Sequence, residues 1–198
     1  MINYTFKYFG PHLFQTKLDK EFCKEMLNYD GKNAASELVG YFDTENWITD
    51  EGQKYFMNYL ENKGVFEAFK QSHKHFYNEE SPDFTLDSLW INYMSPGDFN
   101  PIHNHDKDLS FVLFLNSPEE IKIENLEVRK KIKGKDAGPG CLVFLYGEKV
   151  EGFISQPAII PETGELFIFP SRLRHVVYPF KSNVQRITIA GNFKFKRT

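Results

Sequence analysis

Apolar positions change their period along the chain near residue 82. Before that point they recur every three or four residues, the spacing of one helix face. Leu18, Phe22, Cys23, Met26 and Leu27 follow Thr16 in this way and predict a first helix. Thr49 with Asp50 and Glu51 reads as the capped, acid-rich first turn of a second, whose stripe is Phe56, Tyr59 and Leu60. Gly64 then separates a third, carrying Val65, Phe66 and Phe69. Such stripes are packing faces.

Beyond Ser81-Pro82 the pattern becomes short runs rich in Phe, Ile, Val, Leu and Tyr. Leu86–Met94, Leu109–Leu115, Ile121–Val128, Cys141–Tyr146, Leu166–Phe169, His175–Tyr178 and Arg186–Phe195 are the predicted strands. Ser95-Pro96-Gly97-Asp98, the Gly134–Gly140 stretch and Ile160-Pro161-Glu162-Thr163-Gly164 supply turn residues between them. Helices followed by many short strands predict a mainly β, α+β chain, an antiparallel sandwich or jelly roll with the N-terminal helices packed on one sheet. The expected organisation is one domain over 1–198, with 1–82 mainly helical support and 83–198 the β core. No internal repeat or low-complexity tract interrupts it.

Composition narrows the function classes. Among 198 residues, 24 Lys and Arg against 27 Asp and Glu leave a net charge of −3, so no bulk field attracts nucleic acid or an anionic membrane. Twenty Phe and a 16% aromatic content suit a β-rich core, and a closed, water-poor cavity would also draw on them. Cys23 and Cys141 lie far apart and outside any CxxC pair, which reads as two free thiols in a reducing compartment. With no leader-like N-terminus and no long apolar run, a soluble cytoplasmic protein is expected.

The six histidines carry the most information. His103 and His105 flank Asn104 where a turn-rich segment runs into a strand, and alternate residues of an extended chain point to one side. His175 stands far downstream, just past Phe169-Pro170, at the mouth of another strand. Two ligands from one strand end and a third from across a barrel make a three-sided metal site with positions left open for substrate and oxygen. Imidazole suits iron, zinc, copper or nickel alike. A second His-x-His pair, His73 and His75, falls in a predicted helix, where such residues diverge, and is read as surface; His12 carries no signal.

Arg186 opens the alternating strand Arg186-Ile187-Thr188-Ile189-Ala190, which sets its guanidinium and the Thr188 hydroxyl on one face. A buried arginine with a hydroxyl beside it can anchor a small dicarboxylate. Tyr93, upstream of His103, and Ser110, downstream of His105, can offer hydroxyls to the same cavity.

Taken together these pieces resemble the 2-oxoglutarate and Fe(II)-dependent oxygenases, in particular a small branch related to prolyl hydroxylases. The resemblance rests on Trp90-Ile91-Asn92, Ser95-Pro96-Gly97, His103-Asn104-His105, Leu109-Ser110-Phe111-Val112, Gly164–His175 and Arg186–Phe193. It implies a double-stranded β-helix holding Fe(II), with O2 and 2-oxoglutarate as co-substrates and Arg186 pairing with the distal carboxylate of 2-oxoglutarate. Tyr93 and Ser110 occupy places matching residues that contact the co-substrate in prolyl hydroxylases. The usual motif is His-x-Asp, whereas here His105 stands in the carboxylate's position. Either His105 completes a three-histidine site or Asp106 swings in from the next position; the i, i+2 relation favours His105.

The histidines also resemble the cupin pattern through Gly97, Gly164, Pro170 and His175, but Arg172 replaces an expected Gly and no Glu follows His105 at the cupin distance. A cupin-type metalloprotein not using 2-oxoglutarate, or a non-catalytic jelly-roll binding module, are the alternatives to a hydroxylase. The resemblance to prolyl hydroxylases makes a protein or peptide side chain an expected substrate beside a small molecule, and leaves the oligomeric state open. The 134–140 and 146–161 loops are long enough for a lid.

Overall fold

The computed structural model describes residues 10–131, 137–147 and 157–197. The chain begins with strand β1 (Phe14–Lys17), helix α1 (Lys20–Met26) and strands β2 (Asp30–Asn33) and β3 (Thr44–Ile48). Helices α2 (Asp50–Asn62) and α3 (Val65–Tyr77) follow, then β4 (Phe84–Met94), β5 (Asn100–His103) and β6 (Leu109–Asn116). Helix α4 (Glu119–Lys131) precedes β7 (Leu142–Leu145), β8 (Ala158–Ile159), β9 (Glu165–Pro170), β10 (Arg174–Val177) and β11 (Arg186–Phe195).

Two antiparallel sheets result, one of seven strands in the order β1-β9-β6-β11-β4-β3-β2 and one of four in the order β5-β10-β7-β8. Alternation along the central strands divides the larger sheet into two faces. On β6, Leu109, Phe111, Leu113 and Leu115 join the cluster that also holds Phe22, Phe56, Leu60 and Phe69 from the helices. Phe114 points the other way and packs with Leu142, Phe144, Phe167 and Phe169 between the sheets. Both faces are covered, so β6 reads as a nearly continuous apolar run.

Helices α2 and α3 form where the spacing predicts them. Thr49 Oγ1 accepts from Gly52 N at 3.2 Å, which closes the α2 cap. Aromatic rings join the helices to the sheet: Phe56 stacks on Phe111 at 5.3 Å between centroids, and Phe111 on Phe193 at 4.6 Å. The aromatic surplus therefore serves the helix–sheet interface as well as the cavity side of the sheet, where Trp90, Phe114 and Phe169 lie.

Three sequence expectations change. Thr16 lies within β1, and α1 starts only after Asp19, because Phe14–Lys17 pairs with Ile168–Glu165 along the sheet edge. Ile121–Val128 is not a strand but the middle of α4. Pro118 and the acidic Glu119 and Glu120 open that helix, Arg129, Lys130 and Lys131 close it, and Ile121 and Asn125 form its buried side at i, i+4. Segment Asn100–His103, in the stretch read as turn-rich, is an edge strand.

Gly191 shows how tightly the sheet meets the helix layer. A Cβ there would lie 2.4 Å from both Ser88 O and Phe111 Cζ. Gly191→Ala is expected to cost about 1–3 kcal/mol through overpacking, read as a lower urea midpoint with the slope unchanged; an unchanged midpoint would show that the contact relaxes freely.

Candidate metal and co-substrate site

Strand pairing brings the three histidines together. In the smaller sheet His103 of β5 sits directly across from His175 of β10. His105, two residues on, is tied down by its backbone N donating to Ser171 O at 2.9 Å. One ligand atom from each of the three lies within 4.8 Å of the others. The ring centroids are 4.2 Å apart for His103–His175, 5.1 Å for His103–His105 and 5.4 Å for His105–His175.

The protonation pattern suits a metal. His103 Nδ1 donates to Pro101 O at 2.7 Å and His175 Nδ1 to Leu173 O at 3.0 Å, which fixes those tautomers and leaves each Nε2 lone pair free. Burial pushes His175 down to about 3 and His105 down to about 4, and lowers His103 as well; the neighbouring imidazoles add to the effect at His175 and His105. All three are neutral near pH 7, ready to bind a cation without first losing a proton. Asp106 does not join them: its side chain is 75% exposed and lies 3.5 Å from Lys107 Nζ.

The same depression has a stability consequence. Between about pH 4 and 6.5 an unfolded chain takes up protons on these histidines that the folded chain refuses, so metal-free stability falls as pH drops through that window. The urea midpoint of metal-free protein is expected to fall from pH 6.5 to pH 5 more steeply than that of His105→Gln; parallel slopes would count against neutral, buried imidazoles.

Beside the histidines a cavity is lined by Trp90, Asn92, Met94, Phe114, Arg186 and Thr188. Arg186 is 2% exposed. Its Nη1 donates to Gly140 O at 2.7 Å, its Nη2 reaches Met94 Sδ at 2.6 Å, and Nε has no partner. Phe114 and Phe180 lie 5.6 and 5.9 Å from the guanidinium carbon. Among the described residues no carboxylate pairs with it, and burial lowers it to about 10. A charge so placed lacks its anion.

Thr188 shares that face, and its Oγ1 accepts from Asn92 Nδ2 at 3.1 Å. Ser110 also lines the cavity; its Oγ donates to Asn192 Oδ1 at 2.7 Å and lies 2.8 Å from Ser171 Oγ. Tyr93 does not reach it. On β4 Trp90, Asn92 and Met94 face the cavity, so Tyr93 points to the helix layer, where its hydroxyl donates to Asp30 Oδ2 at 2.8 Å. The expectation that Tyr93 touches the co-substrate is corrected accordingly. Asn92, Met94 and Asn192 take positions that sequence reading left unassigned; a polar residue in phase with Trp90 along an apolar strand was the available signal.

His73 is half-buried on α3 and His75 exposed, consistent with the divergence of an i, i+2 pair on a helix. His12 is buried, with Nε2 2.8 Å from Ser72 Oγ. Cys23 and Cys141 are buried free thiols. Of the loops considered for a lid, residues 134–136 and 148–156 lie outside the described residues. No helix among the described residues is long and apolar enough to cross a membrane.

The family described as "Putative 2OG-Fe(II) oxygenase" matches residues 88–192, more than half of the chain and the part that carries His103, His105, His175, Arg186 and Thr188. The chain belongs to this family of 2-oxoglutarate and Fe(II)-dependent oxygenases. Its cofactor is accordingly Fe(II), with 2-oxoglutarate and O2 as co-substrates. No significant match was found among curated proteins.

Solved structures share the fold. A prolyl-4-hydroxylase from Pseudomonas putida superposes with a TM-score of 0.56 at 17% identity, covering 93% of each chain. A viral collagen prolyl hydroxylase from Paramecium bursaria Chlorella virus-1, in complex with 2-oxoglutarate, gives 0.56 at 13% identity over 91% of this chain and 94% of that one. HygX from Streptomyces hygroscopicus, with nickel and 2-oxoglutarate bound, gives 0.58 at 7% identity over 93% and 83%. The two sheets thus form the double-stranded β-helix of such oxygenases.

Proposed function

We propose that this oxygenase is a hydroxylase, converting a substrate C–H bond, O2 and 2-oxoglutarate into the corresponding C–OH, succinate and CO2. The observation that carries the reading is Arg186, a buried guanidinium without an anion, lining the same cavity as three neutral imidazoles. His103, His105 and His175 would hold Fe(II), His103 and His175 through the Nε2 atoms that their bonds to Pro101 O and Leu173 O leave free. Bound Fe(II) supplies the redox chemistry that activates O2 at the expense of 2-oxoglutarate.

The chain's own residues bind and orient. Arg186 pairs with the distal carboxylate of 2-oxoglutarate, a charge-assisted contact strengthened by burial, and Thr188, positioned by Asn92, adds a hydroxyl beside it. Ser110 lines the cavity with its hydroxyl already bonded to Asn192 Oδ1 and beside Ser171 Oγ. Phe114, Phe169 and Leu142 keep the remainder apolar and exclude solvent. Three imidazoles add no charge to Fe(II), so the two negative charges of the co-substrate would match the two positive charges of the metal, with Arg186 leaving the site with one positive charge.

Fe(II)-dependent conversion of 2-oxoglutarate to succinate by purified protein is the expected result. Protein that binds metal yet is indifferent to 2-oxoglutarate would instead be a cupin-type metalloprotein. The target in this reading is a C–H bond of a peptide or of a small molecule.

A further inference from the structure

A second recess reaches His103 and His105, enclosing about 270 Å³ and lined by Glu37, Glu45, Trp47, Asp87, Trp90 and Lys107 among others. Glu45 sits on β3 directly across from Asn92 of β4, on the face of the sheet that looks toward the histidines. It is only 2% exposed, yet no donor reaches its Oε2. Asn92, directly across, spends one N–H on Thr188 Oγ1 and makes no bond to Glu45 Oε2, and its own Oδ1 is likewise without a partner. A buried carboxyl without a donor is costly and calls for a partner. Burial pushes this carboxyl up to about 7, a penalty that a neighbouring cation would remove.

The rest of the recess points to the charge of that partner. Lys107, its basic lining residue, lies 3.8 Å from Asp87 and 3.5 Å from Asp106, and Asp87 is paired with Lys194 as well. Among the described residues no cation pairs with Glu37 or Glu45, which both face the recess. Trp47 and Trp90 meet edge to face with ring centroids 6.0 Å apart, and Trp47 Nε1 donates to Glu37 Oε1 at 3.4 Å. Indole faces beside carboxylates form a setting that attracts ammonium and guanidinium groups.

Building on the oxygenase reading above, we propose that this recess receives an aliphatic cation of the substrate, an ammonium or guanidinium group held by Glu45 and Glu37. The cation anchors the substrate and sets its nearby C–H bonds against the histidine cluster. A free amine and a lysine or arginine side chain of a polypeptide share this chemistry.

The test uses protein loaded with Ni(II) and 2-oxoglutarate, titrated calorimetrically with 1,5-diaminopentane, with short peptides containing lysine or arginine, and with the same peptides carrying norleucine. The cationic probes are expected to bind at least about tenfold more tightly than the norleucine peptide, which corresponds to about 1.4 kcal/mol. Glu45→Gln should lose about tenfold for the cations and leave 2-oxoglutarate affinity unchanged. Glu37→Gln, at the exposed rim, should lose about threefold and keeps the test open if the first variant fails to fold. A peptide preferred over diaminopentane places the cation on a polypeptide; the reverse places it on a small amine. Normal 2-oxoglutarate binding with cationic and neutral probes bound alike, or not at all, would overturn the assignment. If Ni(II)-loaded protein fails to bind 2-oxoglutarate, the oxygenase reading itself fails.

Discussion

His175→Ala is expected to abolish tight Fe(II) binding and lower 2-oxoglutarate turnover by more than about 100-fold. Losing even an outer partner of a metal ligand costs roughly 10- to 100-fold, and His175 is itself one of the three clustered ligands. Its ring is directly across the ladder from His103 and is held by its bond to Leu173 O, so no neighbouring group can take its place. Asp106 points to solvent and is already beside Lys107. The variant should fold, because the space left is bounded by Phe144 and Phe169, whose centroids lie 6.2 and 5.0 Å from that of His175. Metal titration alongside near-UV circular dichroism checks both points. Unchanged metal affinity in a folded variant would remove His175 from the site.

Arg186→Met should separate the co-substrate from the metal. Deleting one partner of a buried, hydrogen-bonded charge pair costs about 2–5 kcal/mol, so the KM for 2-oxoglutarate is expected to rise by roughly 30-fold or more. Fe(II) affinity should stay the same, since Arg186 is part of the larger sheet and His103 and His175 belong to the smaller one. The ligand-free protein should be no less stable, because an unpaired buried charge gives way to a side chain of similar length. Equal losses of metal and 2-oxoglutarate would indicate a damaged fold in place of a lost anchor. An unchanged KM would place the distal carboxylate elsewhere.

The legible parts of the molecule were those where one local rule decides. Thr49 with its acidic first turn set the start of α2, and alternation in β11 placed Arg186 and Thr188 on one face. His103 and His105 could be read as a pair because an extended chain repeats every second residue, while the meeting with His175 required the β5–β10 ladder. Distance to His103 and the resemblance to prolyl hydroxylases put Tyr93 in the cavity; alternation on β4 overrules this, since Asn92 and Met94 face the cavity and the opposite face belongs to the helices. Segment Ile121–Val128 has enough branched apolar residues to mimic a strand, but Pro118 and the charge gradient from Glu119 to Lys131 favour a helix. Glu45 gave no signal, since a lone carboxylate in a short strand is ordinary until pairing with β4 turns it inward.

Anaerobic titration of Fe(II)-loaded protein with 2-oxoglutarate tests the central claim most directly. One equivalent should bind with a new visible charge-transfer absorption that needs the metal, vanishes in His175→Ala and moves to higher concentration in Arg186→Met. Fe(II) bound without any response to 2-oxoglutarate would contradict the account.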